Sequence, residues 1–533
     1  MAEPDLIDRL NARYLSSAAS CSGGTTAVQC SGVMLRGISP NNASDFWILS
    51  PAAKELGSST FSFFRHDARM DGSDMLGGII FMDFDTARQR GKNLPQLRCI
   101  YPFKAATQGM NRPLHGCGFP NSQANPRPDE STCATLADPA ITSAKWIAHF
   151  KTVGSDTVKQ CSLSTQEPAQ LITSLQARQQ LDEANYYLNE LLIAAWDETK
   201  PEALPIEAFF FNRAKQGAFD HASTMQKAYY QKTQIWRPIV ALNSETGDNK
   251  FVTRLTEIEE GKQTSNALNL RYANTRDRCG SNASLDCNGV IIRTAAYAAG
   301  SHVWNPGEKH VKNNGVAFSY IRADSGINVL AWNTRYQGFI FKQLDSLREP
   351  GSYQLQAACI FPTDGSTDSR TQACGAHKSY PTGSETCASQ GITTLAQFKT
   401  HFQSVAQGED SGYFNNRNKH QCSLPTSQAG VDISMKARNN DTLSTAQRAH
   451  HNELIIRAWS QNIPNQLPLE AFFWWNPNND ASGLAQAKDM QRDLVRTAAK
   501  WIPVVRLNFK TTNPDQIFMY APEDQACTRT TCN

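Results

Sequence analysis

The sequence predicts an α+β fold, built as two tandem repeats of one mixed, disulfide-stabilised domain. Three observations carry this reading. Motifs of the first half return in the second at an offset of about 257 to 265 residues: LNARY, CSGVMLRG, FSFFR, QCSL, NELLIAAW and LPIEAFF reappear as LNLRY, CNGVIIRT, FSYIR, QCSL, NELIIRAW and LPLEAFF. Repetition on that scale copies a whole domain, because solenoid repeats recur every ~20 to 50 residues. Short apolar runs and amphipathic stretches follow one another without strict alternation, as α+β domains do. The cysteines fall in matched sets of six: Cys21, Cys30, Cys99, Cys117, Cys133 and Cys161, then Cys279, Cys287, Cys359, Cys374, Cys387 and Cys422. The expected domains are 6–243 and 268–533, the latter with a cysteine-containing tail, joined by a linker at 244–267.

Within each repeat the elements come in one order. GVMLRG, FSFFR and GGIIFMDF in the first copy, and GVIIRT, FSYIR and QGFIF in the second, are rich in β-branched and aromatic residues and read as strands. A Cys/Gly/Pro-rich loop region follows at 99–133 and 359–387, where turn residues supply the backbone angles and disulfides the restraint. Residues 185–196 and 444–459 carry apolar positions three and four apart and predict helices, the second with Ser444 as N-cap. LPIEAFFF and LPLEAFF predict the next strand, the segments around Met225 and Met490 a polar helix, and WRPIVALN and WIPVVRLN a last strand. Trp196, Trp459, Phe209, Phe210, Phe472 and Phe473 belong to the core. The polar stretch SETGDNKFVTRLTEIEEGKQTSN reads as a surface connector with one helical turn.

Composition excludes several classes. With 52 basic and 49 acidic residues the formal charge is +3, and no Lys/Arg stripe is present to neutralise a phosphate backbone, so nucleic acid is not an expected partner. No apolar run reaches the ~18 residues that span a bilayer. Fourteen cysteines, completed by a tail pair at Cys527 and Cys532, point to an oxidised framework and a secreted or periplasmic location. The pairing stays open among 15 possibilities per repeat. The expectation is a leader removed from a start that now reads MAEPDLIDRL. There is no CxxC and no Cys/His cluster at ligand spacing, so no metal is expected. GxSxG, HExxH, P-loop and Rossmann fingerprints are absent as well.

Three polar residues stand inside apolar strands in both copies: Arg36, Ser62 and Glu207, matched by Arg293, Ser319 and Glu470. A carboxylate in such a strand is costly unless it is paired, hydrogen-bonded or facing a cleft. The simplest structural alternative is an Arg36 to Glu207 ion pair, repeated as Arg293 to Glu470. Arg65 and Arg322, followed by Asp67 and Asp324, read either as binding residues or as surface pairs at a strand end. Glu190 and Glu453 read as solvated helix positions, with Glu453 also an alternative participant. His302 has no histidine counterpart in the first copy.

The second repeat resembles the halovibrins, secreted bacterial proteins of one such domain. The resemblance rests on CNGVIIRT, HVWNPGEKHVKNNGVAFSYIR, GFIF, GITT, NELIIRAWSQNIP and LPLEAFF. It covers nearly all of the second copy and, more loosely, the first, where DFWILSP replaces HVWNP. The order Arg, Ser, Glu also resembles the Arg-Ser-Glu class of ADP-ribosyltransferase toxins, though FSFF and FSYI stand where that class has Ser-Thr-Ser. These resemblances imply an NAD-consuming enzyme, with NAD as substrate and no further cofactor. In that reading Glu207 and Glu470 are the catalytic carboxylates, and Arg36, Arg293, Ser62, Ser319, Arg65 and Arg322 bind substrate. A fixed carboxylate beside the ribose stabilises an oxocarbenium-like state, and a guanidinium fork holds phosphate. Pro205 and Pro468 occupy the place where arginine-modifying transferases carry a second Glu or Gln, which favours hydrolysis over transfer. The alternatives are a mono-ADP-ribosyltransferase and a tandem non-catalytic binding module or adhesin. A monomer meeting a target cell or an immunity protein completes the expectation.

Overall fold

In both halves the chain enters its sheet through a Cys-x-Gly turn. Gly32 and Gly289 take φ of +63° and +65°, and a Cβ there would lie 2.3 Å from the ring of Phe63 or Tyr320. Only glycine fits both demands. The computed structural model describes residues 6–21, 24–68, 75–92, 94–105, 114–118, 132–152, 160–180, 188–243, 252–253, 255–279, 282–296, 298, 302–330, 336–344, 353–378, 385–404, 419–460, 466–475, 482–528 and 531. It divides into two units, Pro4–Leu255 and one that runs from Thr256 to Asn533.

The first unit holds β1 (Val33–Gly37), β2 (Ser58–Phe64), β3 (Gly77–Phe81), β4 (Leu97–Tyr101), β5 (Leu163–Ser164), β6 (Glu190–Ala194), β7 (Ile206–Asn212), β8 (Ile239–Leu242) and β9 (Val252–Thr253). They form one mixed sheet in the order β5-β4-β6-β2-β1-β3-β7-β8-β9. The second unit has a small β10 (Arg278–Cys279), β11 (Asn282–Ala283) hairpin and a main sheet. Its strands are β12 (Val290–Thr294), β13 (Val316–Ile321), β14 (Gln337–Phe341), β15 (Ala357–Phe361), β16 (Glu453–Ile456), β17 (Leu469–Trp475), β18 (Val504–Leu507) and β19 (Phe518–Tyr520). Their order is β15-β16-β13-β12-β14-β17-β18-β19. Setting β5 aside, the two orders coincide position by position. All neighbours are antiparallel except β7/β8 and β17/β18, which the helices Ala218–Thr233 and Ser482–Ala498 connect, as a parallel pair requires. These are the expected helices around Met225 and Met490, and both methionines are fully buried.

The close spacing of β1 with β3 and of β12 with β14 is again a glycine matter. A Cβ on Gly78 would sit 1.9 Å from the Arg36 carbonyl oxygen, and one on Gly338 at 1.9 Å from that of Arg293. The first core gathers Phe61, Phe63, Phe81, Trp146 and Phe209 to Phe211. The second splits across its sheet. Ile291, Phe318, Phe339 and Phe472 pack on one side with Trp304 and Trp459, while Ile292, Ile340, Ala471 and Phe473 pack with Leu268 on the other.

Two expectations are corrected. The segments 185–196 and 444–459 are not helices through their apolar runs: Glu190–Ala194 and Glu453–Ile456 are strands. Each is interior to its sheet, so an unbroken apolar run, not alternation, is what its burial demands. Ser444 does cap a helix, with a reciprocal Gln447 contact, but that helix ends at Ala449. Residues 185–187 lie outside the described residues. The connector is also not a linker throughout. Its end is the helix Glu257–Ala273, started by a Thr256 and Glu259 capping box, and it occupies in the second unit the chain position that Leu6–Leu15 holds in the first. The division falls at Leu255 and Thr256, and residues 244–251 lie outside the described residues.

Six disulfides join consecutive cysteines in both units: Cys21–Cys30, Cys99–Cys117 and Cys133–Cys161, then Cys279–Cys287, Cys359–Cys374 and Cys387–Cys422. Cys527 is disulfide-bonded too, and Cys532 lies outside the described residues. Such crosslinks persist in oxidising compartments. Among the described residues no helix is long and apolar enough to cross a membrane.

Candidate functional site

Strand pleating decides whether the retained arginine, serine and glutamate can meet. Ser62 is the Cα partner of Leu35, and Ser319 of Ile292. Arg36 and Arg293 are one residue further along the same strands. Successive side chains point to opposite faces, so in each unit the arginine and the serine lie on opposite sides of the sheet. The Arg36 guanidinium sits 5.1 Å from the Trp196 ring centre and 3.4 Å from the Phe46 carbonyl oxygen. Burial pushes its pKa down to about 10. Arg293 donates to the Ala317 carbonyl at 2.7 Å and lies 3.2 Å from His310 Nε2.

The glutamates pair with other arginines than the sequence suggested. Glu207 is 2.7 Å from Arg13 and 3.3 Å from Arg9; Glu470 pairs with Arg271. Arg13 also donates to the carbonyls of Gly32 and Phe81 at 3.0 and 3.3 Å. The expected Arg36 to Glu207 and Arg293 to Glu470 pairs are therefore corrected to Arg13 to Glu207 and Arg271 to Glu470. The signal that could have found them was on the page, since these arginines are the R of LNARY and LNLRY. Arg65 and Arg322 are fully buried and clasp Asp67 and Asp324 with two hydrogen bonds each. Arg65 also holds the Ala18 carbonyl, and Arg322 that of Thr275, so each ties the turn after the first helix to its sheet. A pocket of about 240 Å³ in the first unit is lined by Trp196, Asp197, Lys200 and Leu204 among others, and by none of Arg36, Ser62 or Glu207.

A different cluster assembles in the second unit. Phe361 pairs with Glu453, and Phe318 with Leu454, so Glu453 follows next in register alongside Ser319. In the first unit Phe61 pairs with Leu191, which puts Glu190 alongside Ser62 in the same way. The strand contacts are extended by an asparagine side chain. Asn452 accepts from the Tyr320 amide at 2.8 Å and donates to its carbonyl at 2.9 Å, and Asn189 does the same for Phe63 at 2.8 and 3.0 Å. Glu453 accepts from the Gly365 amide at 2.8 Å and from the Thr367 hydroxyl at 3.1 Å. Asp364 comes from the same loop, and His451 precedes Glu453 by two residues. One donor atom from each of Asp364, His451 and Glu453 lies within 4.8 Å of the others.

The electrostatics of this cluster are unbalanced. Desolvation and the Asp364 charge push the Glu453 carboxyl up to about 8, against the opposing pull of its Gly365 and Thr367 hydrogen bonds and Arg370. Burial lowers His451, and together with His451 it takes His450 down to about 4. The nearby Arg370 guanidinium donates to the carbonyls of Gly365, Gly375 and Gln421. Among the described residues no lysine or arginine is within ion-pair distance of Glu453 or Asp364. Spacing in the sequence could not show this set, because Asp364 is far from the HHNE motif and reaches it only through the β15/β16 pairing.

Comparison with known proteins returns no match: no family model, no curated protein and no solved structure corresponds to this chain.

Proposed function

We propose that the chain is a tandem duplication of one ADP-ribosyltransferase-like domain and acts as a secreted or periplasmic NAD glycohydrolase. Its second unit does the chemistry, with Glu453 rather than Glu470 or Glu207 as the working carboxylate. The observation that carries this reading is the state of Glu453. It stands beside the retained Ser319, held by an amide and a hydroxyl, with a second carboxylate near it and, among the described residues, no lysine or arginine in ion-pair contact, Arg370 acting on it only from further off. A carboxyl in that state gains most from a positively charged ligand. The pyridinium of NAD, and the oxocarbenium charge that develops as the nicotinamide bond breaks, supply such a partner. Glu207 and Glu470 are already neutralised by Arg13 and Arg271 and serve the fold. The halovibrin resemblance supports the substrate, and the disulfides support the compartment.

One observation favours the second reading, a tandem binding module. Arg36 and Arg293 bond to the protein's own carbonyls, and Glu207 and Glu470 are held by Arg13 and Arg271 instead. Release of nicotinamide from NAD by the oxidised full chain separates the two. Glu453→Gln should lower turnover by ~10²-fold or more, the scale of losing a transition-state electrostatic contact, while Glu190→Gln leaves it intact. Transfer of label from NAD to an added protein would identify a transferase instead. Absence of turnover in the wild type, with and without an acceptor protein, would leave the binding module.

A further inference from the structure

We infer that Asp364, His451 and Glu453 form a binding site in the second unit for a divalent d-block cation of the zinc type. The backbone builds the site simply. His451 and Glu453 are two residues apart where the chain enters β16, which in extended chain directs both to one face. Asp364 follows β15, whose last residue Phe361 is the register partner of Glu453. Two adjacent strands thus deliver three donors of the kind zinc accepts, an imidazole nitrogen and two carboxylate oxygens. His451 Nε2 and Asp364 Oδ2 are 4.0 Å apart, and all three donors lie within 4.8 Å. Tetrahedral zinc bonds of ~2.0–2.2 Å put donors ~3.3–3.6 Å apart, so the widest pair has to close by roughly an ångström or slightly more. The side chains of His451 and Asp364 are 15% and 12% exposed, so one edge of the cluster is open to a fourth, water-borne ligand.

Three further facts point to a cation. The cluster holds two carboxylates in a buried place with no lysine or arginine in ion-pair contact among the described residues, and a dication reverses that penalty. The imidazole already turns its Nε2 toward Asp364 Oδ2. Its Nδ1 is buried with no hydrogen-bond partner, so the ring is not fixed by a bond of its own and can turn to bring Nε2 onto a metal.

The first unit supplies the control. There Glu190 accepts from the Ala105 amide at 2.5 Å, as Glu453 does from Gly365, yet Leu188 stands in place of His451 and Lys104 in place of Asp364. The same strand junction forms without the histidine and the aspartate, so the fold does not call for them.

The test is direct. Full-length oxidised protein, dialysed free of metal, is titrated with Zn²⁺ in competition with a chromophoric chelator. A site involving the second unit is expected, weakened by about 100-fold or more in His451→Leu and in Asp364→Lys, which install the residues of the first unit. Glu190→Gln should bind as the wild type does. Thermal unfolding of each variant shows that it is folded, and His451→Gln, which keeps the side-chain volume, gives a second measurement. Equal zinc affinity in the wild type and all three cluster variants overturns the inference, as does a wild type with no competition against the chelator. The inference does not depend on NAD: zinc binding with no nicotinamide release removes the enzyme and keeps the site, and the converse removes the site alone.

Discussion

The two units share a strand order, three disulfides, an arginine to glutamate pair, an asparagine bridge and a tryptophan whose indole donates to a distant carbonyl. Trp196 donates to Trp47 at 2.8 Å and Trp459 to Trp304 at 3.1 Å. They part company at the β4/β6 and β15/β16 junctions. One junction carries Leu188 and Lys104 around its glutamate, the other His451 and Asp364. The shared features all close the core or anchor the first helix, which explains their retention without any chemistry. The unshared ones cost the second unit stability, since two buried carboxylates stand together there with only the more distant Arg370 guanidinium to offset them. A cost borne in one unit and avoided in the other marks the place where function should be sought.

The sharpest way to break the equivalence is through the buried ion pair. Arg271→Met strands the Glu470 carboxylate and should destabilise the second unit by ~3–5 kcal/mol, while in the first unit Arg9 still holds Glu207 and the same loss needs Arg9→Met together with Arg13→Met, measured by denaturant unfolding followed separately for each unit. A large loss in one and almost none in the other would show that the pairs are not equivalent. The disulfides come next. Replacing both Cys387 and Cys422 by alanine opens a loop of sequence separation 35 and should cost about 4 kcal/mol, whereas the separation of 8 at Cys279–Cys287 predicts about 2.5 kcal/mol. The corresponding pairs of the first unit should fall in the same order. Asn189→Ala and Asn452→Ala each leave a strand amide and carbonyl without partners, for an expected ~1–3 kcal/mol, equal in the two units.

A last effect is a decline of stability with rising pH, which Glu453 should confer on the second unit alone. Glu453 has a folded pKa raised to about 8, so the folded state holds a proton that the unfolded state releases above the ordinary carboxyl value of ~4.3. Its contribution to stability is complete below that value and is lost as pH rises to about 8. His450, with a folded pKa near 4, acts oppositely: its contribution is present above ~6.5 and is lost as pH falls toward 4. His377, His401, His420 and His451 are lowered as well and act as His450 does, so it is above about pH 7.5, where unfolded-state histidines have shed their protons, that the glutamate decides the slope and the unfolding free energy of the second unit should decline. In Glu453→Gln that decline should vanish. A decline that persists in the variant would assign it to another group.

Several elements were legible because their local chemistry and their tertiary place agree. GVMLRG, FSFFR and LPIEAFFF have strand residues and end as strands, and the polar segments around Met225 and Met490 are helices as expected. The even cysteine sets announced the disulfides, though not their consecutive pairing. The NEL segments were misread because four or five apolar residues carry no period, and only the flanking strands β2 and β4, or β13 and β15, make them strands. The polar opening of Glu257–Ala273 hid a helix whose buried face begins only at Gly261. Glu207 and Glu470 were rightly singled out as residues needing a partner. The partner lay about 200 residues away on a helix, and no spacing rule reaches that far. The cluster at Asp364 was invisible for the same reason.

The asparagine bridge at Asn189 and Asn452 has a consequence for how solvent protons enter the sheets. Where each bridge sits, a side-chain amide stands in for a missing length of neighbouring strand, so the Phe63 and Tyr320 amide hydrogens are tied down as firmly as those in the ladder itself. In deuterium oxide they should exchange only when the whole unit opens. An alanine at either position, lacking the acceptor oxygen, would convert them to fast exchangers and so time-stamp the opening of that one seam.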